Sequence, residues 1–405
     1  MKKLLLLVLL TALLSLDAWP QQRTTVGGTV VSNVTGQALA GVSVSGGGQT
    51  VVTNDDGYFL LKSDTPMSSI VVSHVGYRSL RVEVERQQSE DGLRIRLQPA
   101  EIQLGEVLVV AMDARELVDE AIRKIPQNYG KRPELFHCFY RETVMKRQRY
   151  IMVSEGVVDM YKTSYRNFSG RDRVAIRKGR RLLSPRRNDT LSVKVTGGPV
   201  LPVQLDVVKD RDVLLNKEDL ECYDMTMEAP TTISDRSQYV VSIKPRCQMP
   251  YALYYGKLYI DQETLAFTRV ELSLDMSDRE KATRMMLVKK PMGVRFRPKE
   301  LLLLIDYRTD GDVTRMSYVR TTFRFNCDWR RRLFATSFTA CCEMAVTSHD
   351  AEEAQPISGR DSFDQRDAFY DKVEFFRDST FWQDYNIIEP TVSLDHAVDR
   401  LLKSR

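Results

Sequence analysis

Residues 36–61 read GQALAGVSVSGGGQTVVTNDDGYFLL, and this stretch decides the fold class. Val42 and Val44 alternate with Ser43 and Ser45, the period of a half-buried strand, and Thr50–Thr53 extends in the same way. Asn54-Asp55-Asp56-Gly57 is a tight turn, because Asn and Asp tolerate a left-handed backbone and Gly has no Cβ to clear. Tyr58-Phe59-Leu60-Leu61 opens the next strand. Working outward, Val30-Val31 runs into the turn Asn33–Gly36, and Ile70-Val71-Val72 closes at His74-Val75-Gly76-Tyr77. Short strands separated by such turns predict a β-sandwich of about 80 residues.

The motifs Gly28-Thr29-Val30, Gly36–Val44, Thr53–Phe59 and Val75-Gly76-Tyr77 occur in an order that resembles the carboxypeptidase regulatory-like domain. The resemblance covers residues 24–110 and implies a transthyretin-like sandwich without catalysis of its own. Such modules accompany metallocarboxypeptidases and also precede many TonB-dependent transporters of Bacteroidetes-type envelopes. The end at Arg405 leaves no room for a transporter barrel or plug, so a transporter is not expected.

Upstream, Lys2 and Lys3 precede an apolar run, Leu4–Leu16, broken by Thr11, Ala12 and Ser15. A helix needs about 20 apolar residues to span a bilayer. The run therefore reads as a secretory signal over residues 1–22, cut after Ala18 or near Gln21. The first cysteine is Cys138, so no lipid anchor is expected at the cut, and membrane association is peripheral at most. The address is the periplasm or the outer membrane. The 405 residues suit two or three domains, and 42% hydrophobic with 28% charged residues is a globular balance. Fifty-nine basic residues against 54 acidic ones give +5, without the concentrated basic face that nucleic acid requires.

Downstream, Asp113–Tyr129 carries Leu117, Val118, Ala121, Ile122 and Ile125 on one helical face behind Asp113 as N-cap. This helix is read as a linker over residues 111–133. From residue 134 to 405 the pattern is mainly strands, among them Tyr150–Tyr161, Leu301–Tyr307, Met316–Phe325 and Leu333–Val346, with a hairpin at Tyr259–Phe267. A short helix is expected near Pro202–Lys209 and a final one at Val392–Leu402. The fold class is mainly β: a sandwich, a linker helix, and a larger curved antiparallel sheet with few helices. Through the Tyr255–Leu274 hairpin and the strand order, this second part resembles the periplasmic lipoprotein-carrier (LolA-like) half-barrel, whose concave face shelters acyl chains.

Each chemical motif has a plainer reading beside it. Asp55 and Asp56 could ligate Ca²⁺, but two carboxylates without a downstream Glu suit a hairpin turn better. His349-Asp350-Ala351-Glu352 has the His-x-x-Glu spacing of a carboxypeptidase zinc site. The third ligand is wanting, since the one later histidine is His396. His74 reads as a strand-end side chain, and His137 beside Cys138 faces the opposite way along a strand. Cys222 and Cys247 flank a turn-rich segment and are either a cross-strand bridge or two buried thiols. Cys341 and Cys342 point to opposite faces. Asp189-Thr190-Leu191 and Asp378-Ser379-Thr380 resemble short O-glycosylation acceptors. Arg171, Arg173, Arg177, Lys178, Arg180, Arg181, Arg186 and Arg187 form a basic segment. It either grips an anionic partner, since Arg pairs bidentately with phosphate, or is a solvated loop balanced by acids elsewhere. No nucleophile elbow or phosphate loop appears. The expectation is a non-enzymatic exported envelope protein without cofactors. It would bind an apolar, lipid-like ligand or an envelope protein through the second domain, or serve as an interaction module of an outer-membrane assembly.

Overall fold

The computed structural model describes residues 23–84, 92–100, 113–166, 170–186, 189, 193–329, 334–350, 354–375 and 380–403. The expected signal segment lies outside them. Residues 24–97 form the sandwich, from β1 (Thr24–Ser32), β2 (Ser43–Gly46), β3 (Gln49–Val52), β4 (Tyr58–Ser63), β5 (Ser69–Ser73), β6 (Leu80–Glu83) and β7 (Leu93–Leu97). One sheet has the order β4-β1-β7 and the other β3-β2-β5-β6. Alternate residues meet between them, with Val26, Val30, Val42, Val44, Phe59, Leu61, Ile70 and Val72 buried. The turn behaves as its sequence requires: Gly57 has φ +75°, and Asn54 Oδ1 accepts from the N–H groups of Asp56 and Tyr58, both at 3.0 Å.

The helix α1 (Ala114–Asn128) is capped by Asp113, whose Oδ1 accepts from Arg115 N at 2.7 Å and Glu116 N at 3.3 Å. Its stripe Leu117, Val118, Ala121 and Ile125 is fully buried in the core of the second domain. The helix is therefore part of that domain's core as well as a connection to it.

That domain is built on β8 (Glu134–Lys146), β9 (Arg149–Lys162), β10 (Arg173–Leu183), β11 (Lys194–Val195), β12 (Tyr223–Ile233), β13 (Arg236–Pro245), β14 (Tyr254–Asp261), β15 (Phe267–Leu274), β16 (Leu287–Lys289), β17 (Val294–Asp310), β18 (Val313–Trp329) and β19 (Thr336–His349). Ten of these form one sheet, ordered β10-β9-β8-β19-β18-β17-β15-β14-β13-β12, with antiparallel neighbours throughout. The chain enters mid-sheet at β8, runs out to the β10 edge and crosses the inner face. It then returns from the β12 edge until β19 pairs with β8. The crossing segment carries α2 (Leu201–Gln204) and α3 (Lys217–Leu220); α4 (Arg279–Met286) follows β15. Together with α1 these elements cover the inner face, burying Leu201, Val207, Leu214, Leu220, Ala282 and Met286.

The outer face meets the sandwich and the C-terminal segment, which includes α5 (Phe369–Lys372) and α6 (Val392–Lys403). Val52 of the sandwich packs with Phe139, Val157, Tyr318, Ala345, Trp382 and Ile388. Leu394, Val398 and Leu401 of α6 cover Val153 and Leu182. Beneath this layer Arg141 and Glu155, each about 3% exposed at the side chain, pair at 2.7 Å. Arg180 Nε and Trp382 Nε1 donate to the other Glu155 oxygen at 2.8 and 3.0 Å.

Candidate ligand cavity on the inner face

Where the crossing segment passes over β17 and β18 it leaves a cavity of about 530 Å³. The sheet contributes Leu301, Leu303, Thr321 and Phe323, and the crossing segment contributes Leu201, Leu205 and Val213. Met285 of α4 and residues 251–254 close the sides. Alternation places these sheet residues inward: Leu301 pairs with Phe323 and Leu303 with Thr321 in one register. Polar groups gather at the rim. Tyr251 OH donates to Asp219, and Asn216 Nδ2 donates to Asp219 at 3.0 Å. Tyr223 OH accepts from Tyr254 N at 3.1 Å. Burial pushes the Tyr223 and Tyr251 phenols up to about 12, so both stay neutral.

One polar group inside has no partner. Thr321 is 2% exposed, and among the described residues its Oγ1 has no hydrogen-bond partner. A buried hydroxyl left unmatched costs about 1–3 kcal/mol, and a ligand whose polar group reached Oγ1 through a small side-chain shift would remove that cost.

A second, smaller cavity of about 210 Å³ lies on the other side of Thr196, which lines both. Its walls include Val144, Ile151, Met152, Ala340 and Phe369. Glu142 stands at its edge, with Oε1 accepting from Tyr140 OH at 2.6 Å and Gly198 N at 2.7 Å. Burial raises its carboxyl above the usual range, and the two hydrogen bonds offset part of that. Two larger clefts, of about 870 and 770 Å³, are edged by charged groups such as Arg177 and Asp350, or Arg173 and Lys209. Their walls mix these charged groups with apolar residues such as Ile176 and Ile357, or Val203 and Phe363.

The disulfide Cys222–Cys247 forms, with Cα atoms 5.1 Å apart. It ties the start of β12 to the segment that leads into the cavity wall. The intervening turn is narrower than the sequence suggests, with positive φ at Ser234 and Asp235 and β12 running to Ile233. Cys342 is buried in the inner core, whereas Thr322 Oγ1 lies 3.9 Å from Cys341 Sγ on the outer face.

Arg173, Arg177, Lys178, Arg180 and Arg181 lie on the edge strand β10 rather than in a loop, Arg171 is exposed ahead of it, and the strand's donors are largely taken up within the chain. Arg173 donates to Ile357 O, Arg177 to Asp159, Lys178 to Phe381 O at 2.8 Å, and Arg181 to Tyr370 O. Arg180 serves Glu155. Arg186 is exposed, and Arg187 lies outside the described residues. The strand thus anchors the C-terminal segment to the sheet edge.

Asp55 and Asp56 also face their own chain. Arg320 donates to both Asp55 oxygens, at 2.7 and 3.0 Å, and Asp56 Oδ2 accepts from Val392 N at 2.7 Å at the start of α6. His74 sits against Tyr77, and burial lowers its pKa to about 4. His349 ends β19 beside the Phe136 ring, and Glu352 lies outside the described residues. His396 is on α6, whose apolar face meets the sheet elsewhere. Among the described residues no group of three or more His, Cys, Asp or Glu is arranged to hold a metal ion. Asp189 is buried and accepts from Arg149 at 2.8 Å and from Ser184 at 2.6 Å. Thr190, Leu191, Asp378 and Ser379 fall outside the described residues.

Two polar clusters have no signal in the sequence. Asp206, fully buried, accepts from Lys162 Nζ and Tyr165 OH at 2.6 Å and from Tyr307 OH at 2.8 Å. It pins the crossing segment to the sheet. His137 bridges Asp159 at 2.9 Å and Asp350 at 3.1 Å on the outer face. Both join residues far apart in the chain, so local pattern cannot show them. No helix among the described residues is long and apolar enough to cross a membrane.

Residues 26–109 match the CarboxypepD_reg-like domain family, so the sandwich is that domain. No curated protein matches the chain. Among solved structures it is similar to a domain from Vibrio parahaemolyticus named for outer membrane lipoprotein sorting, with 11% identity and TM-score 0.26, over 61% of this chain and 95% of that one. It is also similar to a DUF1329 family protein from Desulfovibrio piger, with 9% identity and TM-score 0.24, over 59% and 93%. A third is a LolA superfamily protein from Nitrosomonas europaea, with 10% identity and TM-score 0.19, over 58% and 94%.

Proposed function

We propose that this chain is a non-enzymatic binding protein of the cell envelope. In this reading the cavity over β17 and β18 captures an apolar ligand that carries one polar group. The observation that supports it is a cavity of about 530 Å³ with aliphatic and aromatic walls and one unsatisfied hydroxyl, Thr321 Oγ1. The volume falls in the range of ordinary ligand sites, roughly 300–1,000 Å³, and such sites combine apolar walls with a few placed polar groups. The buried carboxylates and thiols nearby are engaged in structural hydrogen bonds or packing, and the reading assigns them no reaction.

Titration with the fluorescent apolar probe N-phenyl-1-naphthylamine tests it. The mature protein should enhance probe fluorescence saturably, and Leu205→Trp, which fills the cavity from its wall, should abolish saturation while the melting temperature is kept. Equal enhancement by wild type and Leu205→Trp would place the probe elsewhere and end the proposal.

A further inference from the structure

Three of the most exposed apolar side chains among the described residues lie at one end of the large sheet. Met292 is fully exposed, Phe334 is 77% exposed and Val288 58% exposed. Topology puts them together. Met292 is in the turn two residues before Val294, which pairs with Trp329, and Phe334 is two residues before Thr336, which pairs with Cys327. The β16–β17 turn and Phe334, just ahead of β19, therefore lie at the same end of the sheet. The turn is open at Gly293, where φ is +84° and an added Cβ would meet no atom within 4 Å.

Three cations surround these tips. Lys289, Lys290 and Arg295 are exposed, Lys290 Nζ donates to Val294 O at 2.8 Å, and among the described residues none of the three forms a salt bridge. The nearby acids Asp328 and Glu300 are already paired, with Arg297 at 2.5 Å and Arg324 at 2.9 Å. The other strongly exposed aliphatic residues, Val34 and Val392, lie away from this end, on a sandwich turn and at the start of α6.

Apolar tips ringed by exposed cations match the surface of an anionic bilayer. Methionine and phenylalanine reach the headgroup–acyl boundary while lysine and arginine meet the phosphates. We propose that this end of the sheet docks reversibly on anionic membrane, through Met292 and Phe334 inserted at the interface and Lys289, Lys290 and Arg295 against the headgroups. The inference is independent of the cavity, since none of these residues lines it.

Vesicle flotation with the full mature chain tests it. Vesicles containing phosphatidylglycerol should carry the protein, and vesicles of phosphatidylcholine alone should carry at least tenfold less. The double variant Met292→Asp/Phe334→Asp should lose at least tenfold in partitioning, whereas Val34→Asp, equally exposed but on the sandwich, should partition as wild type. Raising salt should weaken binding, because exposed charges are screened. Unchanged melting temperatures would show that the variants fold. Equal partitioning of wild type and double variant, or no preference for anionic vesicles, would overturn the proposal. So would a double variant that changes the chain's self-association and leaves vesicle binding intact, because the face would then belong to a second copy.

Discussion

At Glu155 two opposing effects meet. Burial alone would raise its carboxyl, but Arg141, Arg180 and the Trp382 N–H favour the charged form and hold it at about 2. A carboxyl depressed in the folded state contributes stability above its unfolded value, near 4.5, and that stability is lost as pH falls toward 2. Glu155→Gln should therefore cost about 3–5 kcal/mol at pH 7, since it removes the shorter charge pair of buried Arg141 and leaves it only Glu343 at 3.4 Å. The deficit relative to wild type should shrink between pH 4.5 and 2 in denaturant titrations. A deficit that stays constant with pH would show that the carboxylate charge is not the cause. His137 has the opposite sign: Asp159 first, and then Asp350, raise its pKa against a burial effect that lowers it. Its contribution is present below about 6.5 and disappears as pH rises through the folded value. None of this was legible in the sequence, where Arg141, Glu155 and His137 look like ordinary strand residues and their partners lie up to 247 positions away. The Asn54–Gly57 turn was legible as a turn. Its carboxylates' engagement with Arg320 and Val392 was not, because a turn motif specifies its own backbone and not what docks on it.

Elements were read well where a local signal exists. The cap at Asp113 and the stripe Leu117–Ile125 located α1, and Val392–Leu402 located α6 to within one residue. The stripe did not say what it would pack on. Leu117 is fully buried in the large core, so Leu117→Ala should destabilise the second domain by about 2–5 kcal/mol; a loss below 1 kcal/mol in chemical unfolding would contradict its placement. The ends of β17 were missed because Arg, Lys and Pro interrupt residues 294–300, and a bulge between Pro298 and Glu300 accommodates the proline in the strand. The disulfide Cys222–Cys247 closes a loop of 25 residues. Replacing both cysteines with serine should cost about 3 kcal/mol through the freer unfolded chain. Because residues 251–254 follow closely and form a cavity wall, the same variant should also weaken probe binding. Full retention of affinity would show that the bridge does not organise the site.

The whole molecule is tied together by contacts that run from the sandwich to the C-terminal segment. Lys62 Nζ donates to Trp382 O at 3.0 Å and Tyr385 O at 3.1 Å, Asn54 Nδ2 donates to Pro390 O at 2.9 Å, and Asp55 meets Arg320. With Val52 buried against the sheet, wild type should unfold in one calorimetric transition. Asn54→Ala/Asp55→Ala should split it in two; two transitions in wild type would mean that the interface is too weak to couple the parts. The sheet's existence and the division into sandwich, helix and β domain were legible from strand and turn pattern. The cavity was not, because it arises where residues 196–219 cross strands a hundred positions later, and no local period encodes the gap between them. The central claim is that this gap holds a ligand. Native mass spectrometry of the protein, purified gently from cells that make it beside Leu205→Trp, tests it most directly. A reproducible adduct of lipid-like mass on wild type, absent from Leu205→Trp, is the predicted result; bare protein in both, or the same adduct on both, would contradict it.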